Sequence, residues 1–273
     1  TSAGTCVVTA SLAGDTGYNA VSSSATTVTF AKANQAALSL SADTATYGSS
    51  ITLSVTGGSG SGALTYSVAD GTATGCAESN GVLTALTAGT CTVTATSAAD
   101  TNYNAAASSA TFSFTKADQA ELIVTTEDGS YGSSLALNFS GGSGTGSVTY
   151  SVANGTATGC AIASGLLTAT SAGTCIVTAT KATDGNYNSV SSVATALTFN
   201  KALQGNLSLT PTSGSFGTAI TLAVTGNSGL GVVSLTTSDG TATGCSLSGS
   251  SLSSTSSGTC YVVVSVDGDA NYL

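Results

Sequence analysis

Apolar and polar residues alternate one for one along many short stretches of this chain. Over residues 51–56, Ile51, Leu53 and Val55 fall on one side while Thr52, Ser54 and Thr56 fall on the other. Residues 64–68 set Leu64, Tyr66 and Val68 against Thr65 and Ser67, and residues 91–96 set Cys91, Val93 and Ala95 against three threonines. A period of two marks a strand with one buried face. Clusters of Gly, Ser, Asn and Asp break these stretches at 57–62, 79–81 and 98–104, which reads as turns. No stretch carries a helical period. The chain is therefore predicted to be all-β. The density of its short strands describes antiparallel β-sandwich domains of immunoglobulin type.

The strand pattern recurs. The motif at Lys32, KANQAAL, returns as KADQAEL at Lys116 and KALQGNL at Lys201, with offsets of 84 and 85. Tyr47, Tyr131 and Phe216, each followed by Gly, keep those offsets, as do Tyr18, Tyr103, Tyr187 and Tyr272. Such a period is too long for a solenoid unit and suits a small autonomous domain. Four segments follow: 1–31, the C-terminal part of a truncated repeat; 32–115 and 116–200, whole repeats; and 201–273, a repeat lacking its last strand. Each whole repeat runs directly into the next through its Lys-Ala-x-Gln motif, with no flexible spacer.

The same frame organises the seven cysteines. Cys76 and Cys91, Cys160 and Cys175, and Cys245 and Cys260 form three pairs, each fifteen positions apart, and Cys6 is the second member of a fourth pair whose partner lies outside the sequence. Zinc prefers clustered Cys and His, and here there is no His and no C-x-x-C. Redox catalysis favours a C-x-x-C at a helix start, which is equally absent. One disulfide per repeat is the reading that remains. Closing a loop of this size is worth about 3 kcal/mol in the chain-entropy model, a large share for a domain whose core is mostly Ala and Val. Disulfides also place the protein in an oxidising compartment, outside the cytosol.

Composition narrows the partners. Only four residues are Lys or Arg and the net charge is -9, so neutralising a run of phosphates is beyond this chain and nucleic acid is excluded. The same deficit of basic residues disfavours anionic membrane surfaces. No apolar run reaches spanning length, so no membrane insertion is expected in this segment. Without His, and with sparse carboxylates, no nucleophile–base pair or acid/base couple emerges, and the chain reads as a non-enzyme with no cofactor and no metal.

The Lys-Ala-x-Gln opening, the Tyr-Gly before the second strand, the stretches VTYSVANGTATGC and SAGTCIVTAT, and the D-x-N-Y corner together resemble the tandem bacterial immunoglobulin-like repeats of large secreted surface proteins and adhesins. The resemblance covers the whole chain in one register. It departs at Leu235, which stands where Tyr66 and Tyr150 do, and at Phe216; both stay apolar. The resemblance implies a stalk or filament segment projecting from a cell. Its partners would be neighbouring repeats of the same longer chain, copies of itself in a fibre, or a surface ligand bound adhesively.

Other features have a plainer reading beside the functional one. The Gly-rich loops at 57–62, 141–146 and 226–231 read as flexible turns rather than ligand cradles, and no Gly-Lys-Ser/Thr follows to make a P-loop. The row Thr92, Thr94 and Thr96 reads as the solvent side of a strand. Tyr18, Tyr103, Tyr187 and Tyr272 read as tyrosine corners, whose hydroxyls bond the backbone. Asp100, Asp184, Asp267 and Asp269 are too few per corner for the six to eight oxygens of calcium and read as turn caps. Lys32, Lys116 and Lys201 lack the neighbouring acid that a Lys–Asn isopeptide needs. Asn138, Asn154 and Asn206 lie in N-x-S/T sequons.

Overall fold

The computed structural model describes residues 1–273, in which thirty short strands and no helix are found. They form two compact units. The first contains Thr1–Gln119 with Ser143–Gly146 and Thr183–Ser189; the second contains Ala120–Gly142, Ser147–Ala182 and Val190–Leu273. The D-x-N-Y corner of the second sequence copy thus belongs to the first unit.

In the first unit, β1 (Gly4–Val8) pairs antiparallel with β2 (Thr26–Phe30) as a ribbon. A four-stranded sheet follows, made of β3 (Thr44–Thr46), β4 (Leu64–Asp70), β5 (Gly89–Ser97) and β6 (Ala106–Thr115) in the order β3-β6-β5-β4. β3 runs parallel to β6 and the other pairs are antiparallel. A smaller sheet of Ile51–Thr52, Val82–Thr84 and Ala77–Ser79 accompanies it. Asn80 and Gly81, with φ of 53° and 79°, make the tight hairpin between its last two strands, the two-residue turn that needs positive φ at both positions.

The core takes residues from both sheets. Ile51 and Leu83 from the small sheet meet Val93, Phe112 and Phe114 from the large one, all at most 3% exposed. The alternation decides which residues these are. On β5, Cys91, Val93 and Ala95 are fully buried, while Thr92 is exposed.

The second unit repeats the arrangement. β7 (Gly129–Ser130), β8 (Val148–Asn154), β9 (Gly173–Lys181) and β10 (Thr195–Asn200) pair in the order β7-β10-β9-β8, again with one parallel pair, β7 with β10. Leu167, Val177, Leu197 and Phe199 fill its core. Farther along, β11 (Val233–Asp239) pairs only with β12 (Cys260–Val266), and no strand lies along the other edge of β12.

A glycine enters each main sheet with its Cys strand. Gly89, Gly173 and Gly258 have φ of +139°, +130° and +142°. A Cβ on Gly89 would also meet the backbone nitrogen of Ala73 at 2.4 Å. Only glycine meets both demands.

Candidate functional site: the corner and the joint it makes

The stretch between the paired cysteines is held from within. Asp70 Oδ1 accepts a hydrogen bond from the Cys76 backbone N–H at 2.8 Å; Asn154 does the same for Cys160 at 2.9 Å and Asp239 for Cys245 at 2.7 Å. Thr72 and Thr90 exchange hydroxyl and backbone N–H bonds, as do Thr156 with Thr174 and Thr241 with Thr259. The first cysteine is therefore aimed at the second. The disulfides Cys76–Cys91, Cys160–Cys175 and Cys245–Cys260 are present, each with a Cα–Cα distance of 5.9 Å. Cys6 is a free, exposed thiol on β1. No group of three or more His, Cys, Asp or Glu comes together as a metal site.

The D-x-N-Y corner is built around its aspartate. Asp100 Oδ1 accepts from the backbone N–H of Asn102 and Tyr103, both at 2.8 Å, and Oδ2 accepts from the N–H and hydroxyl of Ser61 in the Gly-rich loop. Asp184 repeats this with Asn186, Tyr187 and Thr145, and Asp269 with Asn271, Tyr272 and Leu230. These donors stabilise the ionised carboxylate. The Ser61 N–H, followed by those of Asn102 and Tyr103, brings Asp100 down from 3.8 to about 2. Asn186, Thr145 and Tyr187 do the same for Asp184, also to about 2. Asp269 is lowered too, chiefly by Leu230.

Two expectations change here. The Gly-rich loops are pinned rather than loose: a Cβ on Gly144 would lie 2.3 Å from Asp184 Oδ2, and one on Gly62 would lie 1.9 Å from the Ala98 carbonyl oxygen. Their glycines serve close approach. The corner tyrosines contribute a backbone N–H and, at Tyr187 and Tyr272, a packed ring; the corner bonds run to the aspartate rather than from the tyrosine hydroxyl.

What the corner presents outward is the larger finding. In the first unit, Asn186 Oδ1 accepts the backbone N–H of Ala88 at 2.9 Å, a residue 98 positions earlier. Beside it, the ring of Tyr187 stands edge-on to that of Tyr47, with centroids 5.4 Å apart and planes at 81°. In the second unit, Asn271 accepts from Ala172 at 2.9 Å and Tyr272 stands edge-on to Tyr131 at 5.6 Å and 85°. Asn102 accepts from Ala3 in the same way, at 2.9 Å. In every case the donor precedes the Gly-Thr-Cys of one sequence copy, and the acceptor is the asparagine of the next copy's corner.

The chain entering each copy is tied to the same corner. Ala33, Ala117 and Ala202 form parallel bridges with Tyr103, Tyr187 and Tyr272. Gln35 Nε2 donates to the carbonyls of Ala98 and Asn104, and Gln119 Nε2 donates to that of Asn188. Lys116 Nζ donates to the backbone carbonyl of Asp184 and the hydroxyl of Thr183, and Lys201 Nζ to the carbonyl of Asp269. These lysines act as tethers to main-chain oxygens. The corner therefore sets the path of the chain and, through Asn and Tyr, grips the preceding copy.

The remaining features are locally satisfied. Thr94 and Ser109 share a cross-strand hydroxyl bond at 2.7 Å, as do Thr180 and Ser191 at 2.9 Å. Asn154 is committed to Cys160, and the Asn138 amide donates to Ala136. The joint escaped the sequence reading because its partners lie nearly a hundred residues apart; its one signal was the asparagine before each corner tyrosine. No protein-family model matches the chain, and no curated protein shows significant similarity to it.

Proposed function

We propose that this chain is a structural segment of an extracellular bacterial surface protein: tandem immunoglobulin-like β-sandwich domains, each stapled by one disulfide, acting as a stalk or filament element without catalysis. The reading takes 32–115 and 116–200 as whole repeats, 201–273 as a repeat without its last strand, and 1–31 as the end part of another. Three disulfides in loops of equal length support a location outside the cytosol. The observation that carries the function is the joint. A hydrogen bond from the Ala88 N–H to Asn186 Oδ1 with a tyrosine pair beside it recurs from the Ala172 N–H to Asn271 Oδ1 with its own tyrosine pair. A hydrogen bond reproduced at three junctions, with a tyrosine pair at two of them, gives neighbouring copies a common seat, which a stalk requires. Transmitting extension is then the chemistry of the protein.

Small-angle scattering with negative-stain microscopy tests this. The expected particle is a stiff rod of beads, and the combined Asn186→Ala and Tyr187→Ala variant shows a broadened bend at one junction. A freely jointed wild-type chain, or a globule, defeats the reading.

A further inference from the structure

Each main sheet ends on a strand with one side bare. β4, β8 and β11 pair on one side only, with β5, β9 and β12 respectively. β8 lies in mid-chain, with β9 between it and β10. At its two ends, the Ala182 N–H donates to the Ser147 carbonyl and the Gly155 N–H to that of Thr174, both at 2.9 Å. Antiparallel bonds alternate along a strand. Thr149, Ser151 and Ala153 therefore turn their N–H and C=O groups to β9, and Val148, Tyr150, Val152 and Asn154 turn theirs to the open side. The same end bonds recur as Ala98 to Ala63 and Gly71 to Thr90 on β4, and as Asp267 to Val232 and Gly240 to Thr259 on β11.

β8 carries none of the guards that keep such an edge single. It reads Val-Thr-Tyr-Ser-Val-Ala-Asn, seven residues without charge or Pro, and its register on β9 is unbroken by a bulge. Tyr150 and Val152 stay half-buried, whereas Ala179 and Val177, paired with them on β9, are fully buried. A further strand along the open side would cover both. On β4 and β11 the last position is a carboxylate, Asp70 or Asp239, so β8 is the edge free of charge.

We propose that β8 pairs antiparallel, edge to edge, with β8 of a second copy of the chain, Tyr150 of one opposite Val152 of the other. The occupant follows from the edge itself. A two-fold contact sets a strand against its own copy, so the strand must complement itself. With Ser151 opposite Ser151 on the axis, Val148 meets Asn154 and Tyr150 meets Val152, the aromatic and β-branched pair that antiparallel strands favour. Every outward N–H and C=O of β8 then finds a main-chain partner, and no two charges meet. On β4 and β11 the same register would set Asp70 against Leu64 and Asp239 against Val233. One strand pair covers a few hundred Å², well below the roughly 1,200 Å² of a standard interface, so the association is weak and concentration-dependent. The inference does not rest on the stalk reading, since it concerns one strand edge.

Sedimentation of the 273-residue chain from about 1 μM to about 1 mM, the weak end of specific association, tests it. The weight-average mass is expected to rise from one copy toward two across that range. Ser67, Ser151 and Thr236, at the centres of the three free edges, are exposed and can carry a charge without entering a core. A variant with Ser67→Lys, Ser151→Lys and Thr236→Lys is expected to stay monomeric, as is one with Ser67→Glu, Ser151→Glu and Thr236→Glu. An equimolar mixture of the two is expected to pair again, because Lys then faces Glu across the axis while both chains remain net negative. A wild type monomeric throughout, a Lys variant that associates like the wild type, or a mixture that stays monomeric overturns the proposal.

Discussion

Residues 32–115 and residues 201–273 carry the same alternation, the same disulfide loop and the same corner, yet only the first encloses a core. On β5, Cys91, Val93 and Ala95 are fully buried; on β12, the equivalent Cys260, Val262 and Val264 are only half-buried. The alternation chooses which face each side chain takes, and the neighbouring strand decides whether that face is dry. One strand bearing Phe112 and Phe114 accounts for the contrast. The corner differs as well. Gln35 Oε1 accepts bonds from Ser97 and Gly60, whereas Gln204, in the same place, has both side-chain polar atoms buried without a partner. Val266 stands where Ser97 supplies its hydroxyl.

The sharpest way to break this comparison is to empty the closed core. Phe112→Ala is expected to destabilise its domain by about 3–5 kcal/mol, the usual cost of truncating a buried aromatic. Val263→Ala, at a position 63% exposed on β12, is expected to stay within about 0.5 kcal/mol. Thermal unfolding of the two variants checks both. Equal losses would mean that Val263 is packed as tightly as Phe112, against its exposed place on the outer face of β12.

The disulfides sharpen it next. All three close loops of fifteen residues, so each restrains the unfolded chain equally, by about 3 kcal/mol. Their margins differ, because 201–273 has little buried apolar surface to fall back on. Under graded reductant, alkylation of Cys245 and Cys260 is expected before that of the other pairs, as read by peptide mass spectrometry. Simultaneous alkylation would show that the open edge costs nothing.

Much of this was legible in single residues. Val93 against Thr92 announced the buried face of β5, the repeated spacing announced the disulfide partners, and Asp100 announced a turn cap. The glycines at 60, 62 and 144 were legible as turns but not as close approaches, because the atoms they approach lie about forty residues on. The Asn186–Ala88 bond was not legible at all: nothing local distinguishes an asparagine that caps its own turn from one that reaches a residue 98 positions away. Its recurrence at 102, 186 and 271, with Gly17 at the equivalent position of the first corner, was the available clue.

The joints supply a smaller effect. Asn186→Ala leaves the half-buried Ala88 N–H without its partner and is expected to cost about 1 kcal/mol of junction stability. A double-mutant cycle of Tyr47→Ala and Tyr187→Ala is expected to give a coupling of about 0.5–1.5 kcal/mol, in line with edge-on aromatic pairs. Coupling near zero would make the ring contact incidental, and the junction would then rest on the asparagine alone.

The smallest effect is that of pH, and it separates the corners from the cores. Asp100 and Asp184 sit at about 2 in the folded chain against an ordinary 3.8, so the unfolded chain binds more protons between these limits. A carboxylate with a lowered value contributes stability that is complete above its unfolded value and lost as pH falls through its folded value. The expected melting temperature is therefore flat from neutrality to about pH 4 and falls from there toward about pH 2. Both aspartates are only partly buried, so solvent screening keeps the decline shallow. Asp184→Asn retains an Oδ1 acceptor but has nothing to titrate, and is expected to flatten part of the decline while lowering stability at neutral pH. An unchanged acid limb in that variant would take Asp184 out of the pH response and leave it to the corners at Asp100 and Asp269 or to carboxylates elsewhere.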